Sequence, residues 1–334
     1  MRFGEIPVAE AVGAILAHSV GHAKGVFKKG RVIAAADIEI LAASGISKIF
    51  AARLSEDDVP EDAAAKALAT KICGAHVITR EPFTGRANLH ADIQGIVLID
   101  AARVNALNRI HESLTFATVN PYSVVEGKQM IATVKIIPFS VPRKILDGAL
   151  AIIGDEPIIR VQALRTKRLG LVITRLAQSK ASLLEKSESS MRERVAALGS
   201  EISQVIVCDH SIEAVRSAVE QLNGAKCSPI LVFGASAIVD RGDVVPAGVM
   251  AAGGEITHLG MPVDPGNLMM LGNLRGVQVI GVPSCARSPK VNGFDFVLQR
   301  VLAGLEPTAH DIMDMGAGGL LAEIPSRPLP REGK

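Results

Sequence analysis

The second half of the chain alternates short apolar runs with longer segments of helical periodicity. Runs rich in β-branched residues and bounded by turn residues predict strands, at residues 169–174, 204–208, 229–233 and 277–282. Apolar residues at helical spacing predict helices at residues 187–198, 212–224, 244–252 and 294–303. Short strands alternating with helices are typical of βαβ units. We therefore predict an α/β fold with a parallel sheet covered by helices on both faces.

Ligands of such a sheet bind in the crevice at the carboxyl ends of its strands. The loops that follow the predicted strands are therefore expected to share one edge of the sheet, and they comprise residues 174–186, 209–211, 234–243 and 283–292.

The first half of the chain is less regular and predicts an N-terminal α+β region. Helices are predicted at residues 8–16, 37–43, 61–72 and 142–153 and before residue 109, and strands at 47–53, 93–99 and 130–138. The polar turn at residues 155–157 is a suitable junction. We predict an α+β region at 1–160, with two subdomains as an alternative, an α/β domain at 161–310 and an extended C-terminal tail at 311–334.

Composition excludes several classes of protein. The chain has 334 residues, of which 48% are hydrophobic and 21% charged, as in globular proteins. Tryptophan is absent, aromatic residues make up 3%, and the net charge is only +2, so a dedicated nucleic-acid binder is not expected. The four cysteines form no CxxC pair, and no apolar run reaches the roughly 18 residues of a membrane span. No membrane partner and a cytoplasmic location are therefore predicted.

The first candidate site is the turn after the strand at 229–233. Small residues let backbone N–H groups approach an anion closely, and here they are Gly234, Ala235, Ser236 and Ala237. Asp240 and Asp243 follow, and two carboxylates beside such a turn suit Mg²⁺ bridging to phosphates. The alternative is a solvated turn in which Asp243 caps the next helix.

Two further loops carry polar groups in fixed backbone. Residues 260–267 suit hydrogen bonding to a polar ring, although the same pattern is an ordinary turn; the candidates there are Pro262, Asp264, Gly266 and Asn267. The turn after the strand at 277–282 suits oxyanion binding, and its candidates are Pro283, Ser284, Arg287, Ser288 and Lys290. Cys285 is a candidate nucleophile there, with a small packed cysteine as the alternative.

In this order, the loops resemble those of the molybdopterin-binding fold shared by molybdopterin adenylyltransferases and molybdenum insertases. Gly234-Ala235-Ser236-Ala237 stands where that family has Gly-Gly-Thr/Ser-Gly followed by an essential Asp. Residues 261–267 resemble a Pro-Gly-Lys-Pro loop, and residues 281–289 resemble a strand ending Gly-Leu-Pro-Gly-Asn-Pro. Residues 25–30, 37–38 and 59–64 are similar to stand-alone molybdopterin-binding proteins.

The resemblance implies that the chain binds molybdopterin, as the molybdenum cofactor or a nucleotide form of it. It implies Asp240 and Asp243 as catalytic, Mg²⁺-binding residues, with ATP or CTP and molybdate as further partners. Some relatives carry a C-terminal domain that attaches cytidine, so the chain is expected to be either a stand-alone relative or a piece of such a fusion. A homo-oligomer and a molybdoenzyme or nucleotidyltransferase partner are further expectations.

The sequence also departs from the family pattern. Ala235 and Ala237 replace glycines, Asp264 stands where a lysine is expected, and Ser284-Cys285 replaces Gly-Asn. Three hypotheses therefore stay open. The first is a protein of molybdenum cofactor biosynthesis, with nucleotidyl or metal transfer as its reaction. The second is a non-catalytic carrier or sensor that delivers the cofactor to a molybdoenzyme. The third is an unrelated α/β enzyme that uses Cys285.

Overall fold

A computed structural model describes residues 1–321 of the chain. The chain divides into two compact units, one of Met1–Ala163 and one that begins at Leu164. The elements of the first unit are β1 (Arg2–Pro7), β2 (Ile15–Leu16), β3 (Val20–His22), β4 (Gly25–Phe27), α1 (Ala35–Ala43), β5 (Lys48–Arg53), β6 (Asp58–Pro60), α2 (Glu61–Ile72), β7 (Val77–Thr79), β8 (Arg86–Ala91), β9 (Gly95–Ile99), α3 (Ala101–Ile110), β10 (Leu114–Thr118), β11 (Val124–Val125), β12 (Met130–Ile136), β13 (Ser140–Pro142), α4 (Arg143–Ile153) and β14 (Ile159–Ala163).

The first unit contains small antiparallel sheets around two apolar cores. One core lies within residues 6–51, beside the sheet of order β1-β5-β2. The other lies within residues 59–161 and is shared by α2, α4 and the sheet of order β10-β12-β8-β7. Helix α2 begins after Pro60 with Glu61 and Asp62 in its first turn, where acidic side chains favour the helix dipole.

The helix predicted at residues 8–16 is wrong. Only Val8–Glu10 form a short 3-10 helix, and β2 follows. Gly13 adopts a positive φ of 80°, which ends helical geometry, and Leu16 pairs with Ala51 of β5. Pairing with a neighbouring strand therefore overrides the local helical spacing.

The second unit contains the elements β15 (Arg168–Arg175), α5 (Ala181–Ala197), β16 (Glu201–Asp209), α6 (Ile212–Gly224), β17 (Ile230–Phe233), α7 (Val244–Ala251), β18 (Glu255–Leu259), β19 (Met270–Leu274), β20 (Val277–Val282), α8 (Gly293–Leu302) and α9 (Ala309–Met313). Helix α6 shows why these segments are helical. Ser211 caps its first turn by accepting from the N–H of Ala214, and Val215, Val219 and Leu222 bury one face at intervals of three to four residues.

The sheet of this unit has six strands in the order β16-β15-β17-β20-β19-β18. Strands β16, β15, β17 and β20 are mutually parallel, as predicted. Strands β19 and β18 pair antiparallel, so the expectation of a purely parallel sheet is corrected at this edge. The α/β fold class is confirmed.

Helices cover both faces of this sheet. Because side chains alternate along a strand, Val172 and Val232 face α6 and α7, whereas Phe233 faces the opposite side. There Arg287, which is hydrogen-bonded to Ser187 of α5, lies over the Phe233 ring. All four residues of β17 are buried, as expected of a strand covered on both faces.

The order of connections creates a switch point at the carboxyl edge. The chain leaves β15 through α5 to β16 on one side, then crosses through α6 to β17 on the other side. The loops after β15 and β17 therefore diverge and leave a crevice between these two strands. The candidate site lies at this crevice.

Among residues 1–321, no helix has both the length and the apolarity of a membrane span. The structure describes the predicted tail at 311–334 only as far as Leu321. The end of α9 and a 3-10 helix at Asp314–Gly316 lie in this described stretch. Its proline-containing remainder lies outside the described residues.

Candidate functional site

The turn after β17 is shaped by its own backbone. A Cβ on Gly234 would lie 2.7 Å from the carbonyl oxygen of Ser236, so the tight turn requires glycine here. The N–H of Ala235 donates to Oγ1 of Thr174 at 2.8 Å, which ties the turn to the end of β15. Ser236 and Ala237 are exposed, and no residue within 1–321 accepts a hydrogen bond from their N–H groups. This turn therefore presents two backbone donors at the crevice that are unpaired within residues 1–321.

Asp243 and Asp240 close the same loop. Oδ2 of Asp243 accepts from the N–H groups of Val239 at 2.6 Å and Asp240 at 2.9 Å, and these bonds lower the pKa of Asp243. Oδ1 of Asp240 accepts from the N–H of Gly242 at 2.7 Å. Asp243 stands at the N-cap position of α7, but its side chain makes no capping bond. Both carboxylates thus stabilise the loop.

No three potential metal ligands among His, Cys, Asp and Glu gather anywhere in the described part of the chain. A Mg²⁺ ion at Asp240 and Asp243 would have to complete its shell with water or ligand oxygens. The magnesium site stays a prediction.

A histidine that the sequence analysis missed lies at the same edge. Nδ1 of His210 is 2.8 Å from Oγ1 of Thr174, and its Nε2 is 3.0 Å from Oγ of Ser236. Burial lowers the pKa of His210, although the nearby Asp243 charge acts in the opposite direction. The available signal was a polar pair, Asp209-His210, at the end of a predicted strand. The pattern does not tell which side chain the histidine meets.

Arg287 ends the short 3-10 helix Ser284–Arg287 that follows β20. Its guanidinium carbon lies 4.4 Å from the centre of the Phe233 ring, and its Nε donates to Oγ of Ser187 at 3.0 Å. Burial lowers the pKa of Arg287. No carboxylate in residues 1–321 forms an ion pair with it. A partly desolvated cation without a counterion suits an anionic ligand.

The rest of this loop is held by Arg194 of α5. Arg194 pairs with the buried carboxylate of Asp295, and it donates to the carbonyl of Ser288 and, at 2.9 Å, to that of Lys290. Ser288 and Lys290 therefore direct backbone carbonyls towards α5, whereas the Lys290 side chain is exposed. Ser284 is exposed and Pro283 is buried beneath it.

Cys285 lacks the features of an activated nucleophile. Burial raises the pKa of its thiol, so the protonated form dominates at neutral pH. The thiolate, rather than the thiol, is the attacking form.

The loop at 260–267 joins β18 to β19 at the carboxyl edge. Asp264 bridges to the segment near Leu320, since its N–H donates to the carbonyl of Gly319 and its own carbonyl accepts from Leu321, each at 2.9 Å. Gly266 packs against Gly293, where an added Cβ would lie 2.5 Å from the Gly293 nitrogen. The backbone of Asp264 is therefore occupied, while Pro262 remains exposed and Asn267 partly exposed.

The structure thus brings the predicted loops to one edge of one sheet. Phe233 and Arg287 link the turn at 234–237 to the loop at 283–290, and Gly266 and Gly293 link the loop at 260–267 to the start of α8. Together these features define a mixed α/β protein with a candidate site rich in hydrogen-bond donors at the carboxyl edge of its sheet.

Comparisons with known proteins add the following. A family model described as a domain of unknown function (DUF8806) matches residues 5–53, which lie in the first unit. No curated protein matches the chain. One similar solved structure is the molybdopterin biosynthesis MoeA protein from Pyrococcus horikosii, at 12% identity and a TM-score of 0.31, covering 91% of this chain and 75% of that one. A likeness at that TM-score carries no argument about this chain.

Proposed function

We propose that the protein binds molybdopterin and acts in molybdenum cofactor biosynthesis. The observation that carries this proposal is that the three motif-like loops lie at the carboxyl edge of one sheet, where the guanidinium of Arg287 forms no ion pair within residues 1–321. The three loops occur along the chain in the order of the family motifs, and their position at the same edge of one sheet supports the proposal. Binding at such a switch point is common in open α/β sheets.

The donors of the site fit the phosphate of molybdopterin. The N–H groups of Ser236 and Ala237 and the guanidinium of Arg287 are hydrogen-bond donors, and a phosphate supplies the acceptors that they lack. Lys290 adds an exposed positive charge nearby in the chain. The pterin would lie against the remaining candidates of the other two loops, which are Pro262, Asp264, Gly266, Asn267, Pro283, Ser284 and Ser288.

Nucleotidyl or metal transfer on the bound cofactor, with ATP or CTP and molybdate as co-substrates, is the finer form of the proposal. In this form Asp240 and Asp243 would hold Mg²⁺ with their carboxylates. The ion would supply charge neutralisation at the transferred group. The protein itself would orient the ligand through the hydrogen-bond donors of Ser236, Ala237 and Arg287.

A non-catalytic carrier or sensor is the second candidate, and one observation favours it. Both aspartates already accept backbone N–H groups within their own loop. In that case molybdopterin binding requires the turn at residues 234–237 but no metal ion. A cytoplasmic homo-oligomer that passes the cofactor to a molybdoenzyme or a nucleotidyltransferase would agree with either form.

Calorimetric titration of the full chain with molybdopterin tests the proposal. Saturable binding is expected, and Arg287→Ala should weaken it by about 10- to 100-fold, the range of a hydrogen bond to a charged group. Arg216→Ala is the matched control, because Arg216 lies on α6 and pairs with Glu213 and Glu220. Absence of binding by wild-type protein at high micromolar concentration would reject the proposal.

Substitution of the aspartates separates the two candidates. If Asp240→Ala and Asp243→Ala bind molybdopterin and still support cofactor maturation, the carrier is correct. If they bind but fail in maturation, transfer chemistry is correct.

A further inference from the structure

A chain of polar side chains crosses the crevice between β15 and β17. It runs from Thr174 through His210 to Ser236, with heavy-atom distances of 2.8 Å and 3.0 Å. The three residues follow or end three neighbouring strands of the parallel part of the sheet. The sequence motifs give none of these three residues a role in directing a proton.

The position of each proton in this chain follows from the available acceptors. Thr174 is 2% exposed, so its O–H needs a partner inside the protein. Within residues 1–321, its two hydrogen-bond neighbours are the N–H of Ala235, which can only donate, and Nδ1 of His210. The hydroxyl of Thr174 must therefore donate to Nδ1.

A neutral imidazole carries one ring proton. With Nδ1 accepting, that proton lies on Nε2, which then donates to Oγ of Ser236. Burial lowers the pKa of His210, which favours this neutral ring. Since Oγ of Ser236 accepts from the ring, its own O–H is directed elsewhere, and no described residue accepts it.

This arrangement makes Ser236 a hydrogen-bond donor and not a nucleophile. A ring nitrogen that already carries a proton cannot take the proton of the serine hydroxyl. The crevice thus presents the O–H of Ser236 and the N–H groups of Ser236 and Ala237, which no residue within 1–321 accepts, and Arg287 adds its guanidinium over the adjacent Phe233. All of these are donors.

We infer that His210 is a positioning residue that holds the Ser236 hydroxyl outward, so that the crevice selects a tetrahedral oxyanion carrying no proton. Phosphomonoester dianions and molybdate share this chemistry, since every oxygen facing the site can accept. The inference deepens the proposed function, because the phosphate of molybdopterin is a phosphomonoester. It names the residues that would recognise such an anion.

The tautomer of His210 is the first test. Long-range proton–nitrogen correlation spectra of full-length protein with ¹⁵N-labelled histidine, assigned with His210→Gln, should show Nδ1 unprotonated and Nε2 protonated at neutral pH. Thr174→Ser should keep this pattern, and Thr174→Val should remove the preference. A wild-type ring protonated at Nδ1 overturns the inference.

Titration with simple oxyanions is the second test. Glycerol phosphate and molybdate should each bind, and Ser236→Ala and His210→Ala should weaken the preferred anion about tenfold. His210→Gln, whose side-chain amide can donate in place of Nε2, should recover part of the loss. Unchanged affinity in His210→Ala, with wild-type thermal unfolding, overturns the inference.

The two arms also identify the source of the anion. If glycerol phosphate binds more tightly than molybdate, the crevice binds the phosphate of a larger ligand. If molybdate binds more tightly, the crevice binds the metal oxyanion. Failure of molybdopterin to bind, with the expected tautomer and oxyanion affinity, would reject the proposed function alone. Binding of molybdopterin without the expected tautomer and oxyanion affinity would reject this inference alone.

Discussion

Arg194 and Arg287 lie on the same side of the sheet and differ in their partners. Arg194 is surrounded by acceptors, since it pairs with buried Asp295 and binds the carbonyls of Ser288 and Lys290. Arg287 stacks on Phe233 and donates one hydrogen bond, to Ser187. The Arg194 guanidinium therefore holds the loop at 288–290 in place, whereas the Arg287 guanidinium retains N–H donors for a ligand.

The difference teaches where each arginine acts. A buried charge whose partner is removed destabilises the fold, whereas a cation without an internal counterion contributes little to folding and much to anion binding. Stability and ligand affinity should therefore respond to the two residues in opposite ways.

The largest expected effect is that of Arg194→Ala. It leaves the carboxylate of Asp295 buried without its cation and frees the loop at 288–290, so we expect a loss of about 3–5 kcal/mol in the free energy of unfolding. Denaturant titration measures it. Arg192→Ala, on the same helix, removes a largely exposed ion pair with Glu188 and one hydrogen bond to the carbonyl of Ile202, and should cost about 1–2 kcal/mol. Equal costs would remove the distinction between the arginines.

The contact that joins the loop at 260–267 to α8 should be the next most sensitive. Gly266→Ala places a Cβ against the Gly293 nitrogen, at a backbone φ of 136°. A loss of about 2–3 kcal/mol is expected from overpacking and backbone strain. Gly224→Ala, where an added Cβ meets nothing within 4 Å, is the control and should be close to neutral. A neutral Gly266→Ala would show that the two segments are not held together.

Arg287→Ala should invert the pattern of Arg194→Ala. Its unfolding free energy should fall by only about 1–2 kcal/mol, because it loses one hydrogen bond and one stacking contact but no longer buries a cation. Its affinity for the oxyanion should nevertheless fall by about 10- to 100-fold. Unfolding and calorimetry on the same preparation give both values. A large stability loss with unchanged affinity would make Arg287 structural, like Arg194.

The smallest effect concerns the pH dependence set by Asp243. Its pKa is lowered in the folded protein by the N–H groups of Val239 and Asp240. The folded protein therefore binds this proton less readily than the unfolded chain does. The contribution to stability is present above the unfolded pKa of about 3.9 and is lost as the pH falls through the folded value.

Asp243→Asn should therefore flatten the acid side of the stability curve slightly and leave its shape above about pH 6 unchanged. Thermal unfolding at a series of pH values measures the change. An unaltered acid limb would mean that the two N–H bonds do not distinguish the charged form.

Much of the second unit could be predicted because its elements bury regular apolar faces. Strand β20 has the predicted bounds, and α6 begins after Ser211 as expected. Helix α5 begins at Ala181, ahead of the predicted residue 187, and its first turns were missed because they are largely exposed, Leu183 included. Apolar periodicity marks only the part of a helix that faces the core.

The antiparallel pair β18 and β19 was not predicted for a related reason. Thr257 and His258 interrupt the apolar pattern of β18, and Gly272 and Asn273 interrupt that of β19. Of the two, only β18 is an edge strand, and it is largely half-buried. Strand β19 is buried between β18 and β20, but Gly272 and Asn273 break its pattern, so neither strand carries a clear sequence signal.

The candidate loops could be recognised by sequence, but their contacts could not. The stack of Arg287 on Phe233 and the bond of His210 to Thr174 join residues that are distant in the chain. Each depends on which strands are neighbours in the sheet, and strand order does not follow from local periodicity. For this reason His210 was missed although it lies between predicted site loops in space.

The most direct test of the central claim is a crystal structure of the full chain soaked with molybdopterin. The phosphate is predicted to lie at the carboxyl edge, within hydrogen-bonding distance of the Ser236 hydroxyl, the N–H groups of 236–237 and the Arg287 guanidinium. Cofactor bound elsewhere, with these donors facing only water, would contradict the account.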